Sequence, residues 1–207
     1  YASTVKNCTA TDTVFTAIYG DQISNCRGES LDTGVSAVTA DNCYGKGGSG
    51  YGLHAATAQN CVGLSSAAYG LYADQTALNC YGVSTNSIGL VAIAAATCSG
   101  QTSSGSYGLR VDAIAQNCYG AAVTSGTGIS AGIAQNCLGG STSGFGLYST
   151  LALSCHGGSL SGIGLYADVA NTCSGSRPGG RAIQTPIGIG CYAVSGTNFI
   201  THKYNMP

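Results

Sequence analysis

The sequence predicts an all-β protein, a parallel β-helix (β-solenoid) of about eleven stacked coils of 17–20 residues. Three observations predict this fold. Eleven cysteines recur along the 207 residues at gaps of 17 to 20 residues. Nine of the eleven are followed two residues later by glycine, and an aliphatic residue lies eight or nine residues before ten of them. A fixed period of this length is typical of stacked repeats, in which each unit buries its apolar side chains against its neighbours.

Cysteine marks one position of every coil. Stacking in register would align the thiols in a ladder, because identical units place like residues above one another. The ladder comprises Cys8, Cys26, Cys43, Cys61, Cys80, Cys98, Cys118, Cys137, Cys155, Cys173 and Cys191. The aliphatic column comprises Ile18, Val35, Leu53, Leu71, Leu90, Leu109, Ile129, Leu147, Leu165 and Ile183.

Asparagine precedes most of the cysteines. Asparagine tolerates turn conformations and can form hydrogen bonds along a stack of like neighbours. We therefore predict a turn at this corner, formed by Asn25, Asn42, Asn60, Asn79, Asn117 and Asn136, with Asn7 in the first coil.

The repeats define one solenoid domain over residues 1–197, followed by a tail at 198–207 that leaves the pattern. We expect this tail either to cap the last coil or to dock on another subunit by strand addition. The first residues match the second half of a repeat and lack the features of a signal peptide. We expect either a processed chain or additional sequence upstream.

The charge content excludes several classes of partner. Charged residues are 7% of the chain, and the net charge is -1, whereas an ordinary soluble domain has roughly 25% charged residues. Seven scattered Lys and Arg residues cannot neutralise a run of phosphates, so nucleic acid is not an expected partner. No apolar stretch approaches the ~20 residues of a membrane-spanning helix.

Three interpretations of the thiols compete. They are buried as small apolar groups, or they form disulfides between neighbouring coils, or they bind soft ions such as Cu(I) or Zn. A spacing of ~4.8 Å between coils would permit disulfides, although an odd number leaves one thiol over. No Cys-x-x-Cys pair is present, and His54, His156 and His202 do not share the thiol column. We favour buried thiols or partial disulfides and expect no cofactor or metal.

Carboxylates do not cluster as glycan-cleaving chemistry requires. Asp74 and Asp112 share a column, each six residues before a cysteine, but they lie two coils apart with Ile93 between them. We expect both to be solvated corner residues and predict that the protein is not an enzyme.

Two repeated motifs suggest a family. Asn79-Cys80-Tyr81-Gly82 and Asn117-Cys118-Tyr119-Gly120 alternate along the chain with segments such as Gly70-Leu71-Tyr72-Ala73 and Gly164-Leu165-Tyr166-Ala167. This pattern covers essentially the whole chain and resembles bacterial secreted right-handed parallel β-helix repeat proteins. The resemblance implies the fold and secretion. It implies little about function, because β-helices include lyases, adhesins and scaffolds.

The sequence favours a structural protein, extracellular or at the cell surface, whose subunits stack head to tail into a fibre or scaffold. The candidate assembly residues lie near the two ends: Cys8, Cys191, Phe199 and Tyr204. The alternative is a carbohydrate-binding or polysaccharide-cleaving β-helix, for which outward tyrosines would contact the glycan. A weaker alternative is a soft-metal-binding filament built on the cysteine ladder.

Overall fold

A computed structural model describes residues 2–205 as a parallel β-solenoid of about eleven coils, which confirms the predicted fold. The described residues form 21 strands and no helix, and their pairings are parallel. None of these residues belongs to a helix that could cross a membrane. Each coil consists of a long strand and a short strand that belong to opposite walls of the solenoid.

The long wall contains the aliphatic column. Its strands are β1 (Ala2–Lys6), β3 (Ile18–Ser24), β5 (Val35–Asp41), β7 (Leu53–Gln59), β9 (Leu71–Leu78), β11 (Leu90–Ala96), β13 (Tyr107–Gln116), β15 (Thr127–Gln135), β17 (Phe145–Leu153) and β19 (Ile163–Asn171).

The short wall follows the cysteines. Its strands are β2 (Thr9–Thr13), β4 (Arg27–Ser30), β6 (Tyr44–Gly47), β8 (Val62–Ser65), β10 (Tyr81–Ser84), β12 (Ser99–Thr102), β14 (Tyr119–Ala122), β16 (Leu138–Ser141) and β18 (His156–Ser159). The last two strands, β20 (Ser174–Ile189) and β21 (Tyr192–Tyr204), each run through both walls.

The coils stack in register, so that like residues pair. Leu53 lies opposite Leu71 on the long wall, and Gly82 lies opposite Gly100 on the short wall. Backbone hydrogen bonds also join the corners, as where Tyr81 N–H donates to the Cys61 carbonyl at 2.9 Å. The backbone hydrogen bonds therefore run along one axis from coil to coil.

The interior is thin and filled by small side chains around one large column. From Val35 to Ile183 the aliphatic column is fully buried. Beside it lies a column of buried alanines, three residues before the cysteines, from Ala40 to Ala170. Because the aliphatic residue is the only large inward side chain in most coils, this column supplies most of the apolar area buried per coil.

Glycine is required where the two walls touch. A Cβ atom at Gly139 on β16 would lie well under 3.0 Å from the carbonyl oxygen of Gly146. The same conflict recurs at Gly82 with the carbonyl of Gly89. Backbone packs directly on backbone at this level, which explains the glycine two residues after nine of the eleven cysteines.

The corner before each cysteine adopts the left-handed backbone conformation. Its residues have φ between 49° and 58°, a region that Asn and Gly enter at low cost. The corner residues are Asn7, Asn25, Asn42, Asn60, Asn79, Thr97, Asn117, Asn136, Ser154, Thr172 and Gly190, and Asn205 adopts the same conformation after the last strand, where no cysteine follows. Side-chain amides also bond along this corner, as where Asn42 Nδ2 donates to Asn25 Oδ1 at 2.7 Å.

A hydroxyl that is buried in most coils and half-buried at Ser141 closes the turn at the other end of the short wall. Ser141 Oγ donates to the Gly126 carbonyl of the preceding coil at 2.6 Å and accepts from Gly144 N–H at 2.9 Å. Ser65, Ser84, Thr102 and Ser159 make the same pair of bonds. Each hydroxyl thus joins two coils and satisfies its own turn.

Candidate functional site

The thiols line one edge of the interior, and all eleven are free. Each buried Sγ donates to backbone carbonyls. Cys98 Sγ lies 3.2 Å from the carbonyl oxygen of Ala96 and 3.3 Å from that of Ala77 on the preceding coil. Cys173 makes the equivalent contacts with Asn171 and Ala152. These thiols act as small core groups whose weak donors satisfy backbone oxygens.

The thiols of the ladder shift one another's pKa values in both directions. Burial raises the pKa of the Cys26 thiol above its ordinary value. Hydrogen bonding to the Cys137 thiol, together with burial, raises the pKa of Cys118 to about 11. Hydrogen bonds from neighbouring thiols lower the pKa of Cys137 to about 3 and that of Cys80 to about 4. Adjacent thiols therefore differ in their tendency to ionise. Within residues 2–205, no group of three or more His, Cys, Asp or Glu side chains is arranged to hold a metal ion.

We predict that native protein exposes one reactive thiol. Cys8 is the one exposed cysteine among the eleven, and thiol reactivity follows exposure and thiolate content. Titration with a chromogenic disulfide should therefore give one rapid equivalent in the native state and eleven after unfolding. Cys8→Ser should abolish the rapid equivalent. Fewer than eleven equivalents in unfolded, unreduced protein would instead indicate disulfides between coils.

The candidate assembly residues differ in accessibility. At the N-terminal end Cys8 is exposed, whereas at the other end Cys191 is fully buried. Phe199 and Tyr204 on β21 are each 56% exposed. Direct contact between Cys8 and Cys191 of two copies would thus require uncovering Cys191, while the other three side chains are accessible as the structure stands.

The tail continues the solenoid rather than leaving it. Asn198 lies opposite Ile183, and Tyr204 lies opposite Ile189 on β20. Among the described residues, β21 pairs only with β20, and β1 at the opposite end pairs only with β3. The role of residues 198–207 as a cap or a docking segment stays a prediction, and Met206 and Pro207 lie outside the described residues.

A polar groove lies on the outer face of the long wall in the middle of the molecule. It has a volume of about 210 Å³ and is lined by Tyr69, Tyr72, Asp74, Ile93, Arg110 and Asp112, together with Ala73, Val91 and Ala92. The expectation that Asp74 and Asp112 are corner residues was wrong, because both lie within long-wall strands, β9 and β13.

Two β-bulges form this groove. On β9, Asp74 and Gln75 together oppose Ala56 of β7, since Ala55 pairs with Ala73 and Thr57 with Thr76. On β13, Asp112 and Ala113 likewise oppose Ile93 of β11. A bulge bends its strand and redirects a side chain, and here each bulge carries an aspartate. The unbulged β11 lies between them, and Ile93 is 49% exposed there.

Each aspartate contacts a basic side chain. Asp74 Oδ2 lies 3.1 Å from His54 Nε2 on the preceding coil, and Asp112 Oδ1 accepts from Arg110 Nε at 3.1 Å. Burial, together with the charge of Asp74, raises the pKa of the Tyr72 hydroxyl. The groove therefore combines an aspartate–histidine contact and one ion pair with a neutral phenol.

Aromatic rings form one wall of the groove. The ring centroid of Tyr72 lies 5.2 Å from that of His54, 5.6 Å from that of Tyr69 and 5.7 Å from that of Tyr51. A second aromatic cluster lies further along the solenoid, where Tyr148 and Tyr166 stack at 5.2 Å. Asp168 follows Tyr166 on β19 as Asp74 follows Tyr72 on β9, but β17 and β19 pair without a bulge. The bulge therefore distinguishes the first aromatic cluster from the second.

The sequence contained a signal for the bulges. The aliphatic residue lies nine residues before Cys80 and before Cys118, whereas in all the remaining coils of the column it lies eight residues before the cysteine. The extra residue in these two coils is the bulge. Each bulge increases by one the distance between the cysteine and every residue that precedes the bulge. Alignment of the coils on their cysteines alone therefore does not reveal the extra residue.

Comparison of the chain with protein-family models, with curated proteins and with solved structures finds no match in any of the three.

Proposed function

We propose that the protein is structural and acts outside the cell or at its surface, where copies stack coil on coil into a fibre or scaffold. The observation that carries this proposal is the position of the two strands that lie outermost among the described residues. Both β1 and the Asn198–Tyr204 part of β21 belong to the long wall, and each is paired on one side only among the described residues.

The two edges are compatible in direction. All long-wall strands run parallel, so β1 of one copy can add to β21 of another with the same strand polarity. Such a contact is heterologous, since different surfaces meet. Repeating it moves along the axis without closing a ring, and this generates a filament.

Apolar side chains near both ends favour association. At the N-terminal end Val14 and Phe15 are 62% and 77% exposed. At the C-terminal end Val194 and Phe199 are 61% and 56% exposed. These side chains can add apolar area to a contact, but Val123 and Leu160 are exposed to the same extent, so the strand edges and not the apolar content single out the ends. With charged residues at only 7% of the chain, electrostatic repulsion between copies is weak.

A charge placed at one end should block stacking. We expect wild-type protein to form filaments in negative-stain electron microscopy, and Val194→Lys or Phe15→Lys to shift it to single rods, because an ammonium at the interface must lose its hydration. Val123→Lys is the matched control, since Val123 lies in the middle of the molecule and is 62% exposed. It should leave the filaments intact.

Two outcomes would contradict the proposal. Wild-type protein could remain as rods roughly 50 Å long, the length of eleven coils at ~4.8 Å each, even at high concentration. Alternatively, filaments could form equally in the end variants and the control, which would place the contact elsewhere.

A further inference from the structure

We infer that the bulge groove binds a neutral oligosaccharide. The groove combines a tyrosine wall, two aspartates and an arginine on the exposed long wall, and it depends on two bulges that the neighbouring coils lack. The inference is independent of stacking, because the groove lies in the middle of the solenoid and uses neither outermost strand.

The polar groups of the groove suit hydroxyl groups. His54 occupies Oδ2 of Asp74, and Arg110 Nε occupies Oδ1 of Asp112. Asp74 also bonds to the Tyr72 hydroxyl. Because a carboxylate can accept about four hydrogen bonds, both aspartates retain acceptor capacity, and the guanidinium keeps donors on its two Nη atoms. The side chains of Asp74, Arg110 and Asp112 are 46%, 48% and 53% exposed. A sugar hydroxyl both donates and accepts, so neighbouring hydroxyls match this mixture of donors and acceptors.

The charges of the groove disfavour anionic ligands. The Arg110 guanidinium is already bound to Asp112, and Asp74 adds a second carboxylate, so a uronate or phosphate would meet two carboxylates with one permanent cation. A neutral ligand avoids this repulsion, since Arg110 and Asp112 stay paired while hydrogen bonds form around them.

The tyrosine wall supplies the apolar contact. Tyr69 and Tyr72 line the groove, and their rings meet at 66° with centroids 5.6 Å apart. The C–H face of a pyranose can pack on such a ring while its hydroxyls reach the aspartates and the arginine beyond it. Ile93 extends the apolar surface between the two bulges.

The test uses the intact protein on an array of immobilised neutral and uronate-containing glycans, followed by calorimetry with the best neutral hexasaccharide. We expect selective retention of neutral glycans. Asp112→Ala and Arg110→Ala should each weaken binding about tenfold or more, through the loss of charge-assisted hydrogen bonds. Both side chains are about half exposed, so these variants should fold, which circular dichroism would verify.

Two further variants separate the groove from aromatic surface in general. Tyr72→Ala should also weaken binding about tenfold, whereas Tyr148→Ala, which alters the second aromatic cluster, should leave it unchanged. The filament-blocking variant Val194→Lys should bind as tightly as wild type. The inference is overturned if no neutral glycan is retained, if uronate chains bind better, or if Tyr148→Ala weakens binding as much as Tyr72→Ala.

Discussion

Replacing Gly139 with alanine is expected to destabilise the protein by about 3 kcal/mol or more, above the usual range for overpacking. The new Cβ atom would lie well under 3.0 Å from the carbonyl oxygen of Gly146, and neither atom belongs to a flexible side chain. The two walls must separate locally to accommodate it. Because the same backbone contact recurs in the neighbouring coils, the strain cannot be relieved by moving one strand alone.

The adjacent residue provides a matched control. Gly140 also lies on β16, but nothing lies within 4 Å of the position of its Cβ. Gly140→Ala should therefore be neutral or stabilise by about 0.4–1 kcal/mol, because alanine restricts the unfolded chain. Urea unfolding of both variants would measure the difference. Equal effects of the two substitutions would show that the walls are not in direct backbone contact at Gly139.

The fold was predictable because each coil repeats the same local requirements. The thiol, aliphatic and glycine columns each mark one position of the coil. Repetition over about eleven coils makes these positions recognisable among the variable turns. The corner asparagines were predictable for the same reason, since Asn enters the left-handed region easily. Thr97 and Thr172 occupy that corner at φ 51° and 50°. Because β-branched residues are disfavoured there, the surrounding stack must impose the conformation.

The groove was not predicted because it depends on alignment between coils. Asp74 and Asp112 look isolated when their positions are counted from the cysteines. Only the pairing of β9 and β13 with β11 shows that both lie on bulges that flank one strand. The different accessibility of Cys8 and Cys191 was also hidden, because burial at an end is determined by the structure around that end rather than by the repeat.

Truncating a leucine of the aliphatic column should reduce the stability of the protein as much as the overpacking variant Gly139→Ala does. Leu109 is fully buried on β13, between Leu90 of the coil below and Ile129 of the coil above. Leu109→Ala is expected to destabilise by about 3–5 kcal/mol, the upper part of the range for buried leucines. The reason is geometric. The hydrogen-bonded spacing of the coils is fixed, so Leu90 and Ile129 cannot approach to fill the cavity.

The region that Leu109→Ala destabilises distinguishes the core of a solenoid from the core of a globular domain. Each coil packs only on its neighbours, so hydrogen exchange in Leu109→Ala should accelerate first in β11, β13 and β15 and later at the ends. Leu160→Ala is the control, because Leu160 is 67% exposed and should change stability by less than about 0.5 kcal/mol. A loss below about 1 kcal/mol for Leu109→Ala, or exchange that accelerates uniformly along the chain, would contradict a core built from one continuous aliphatic column.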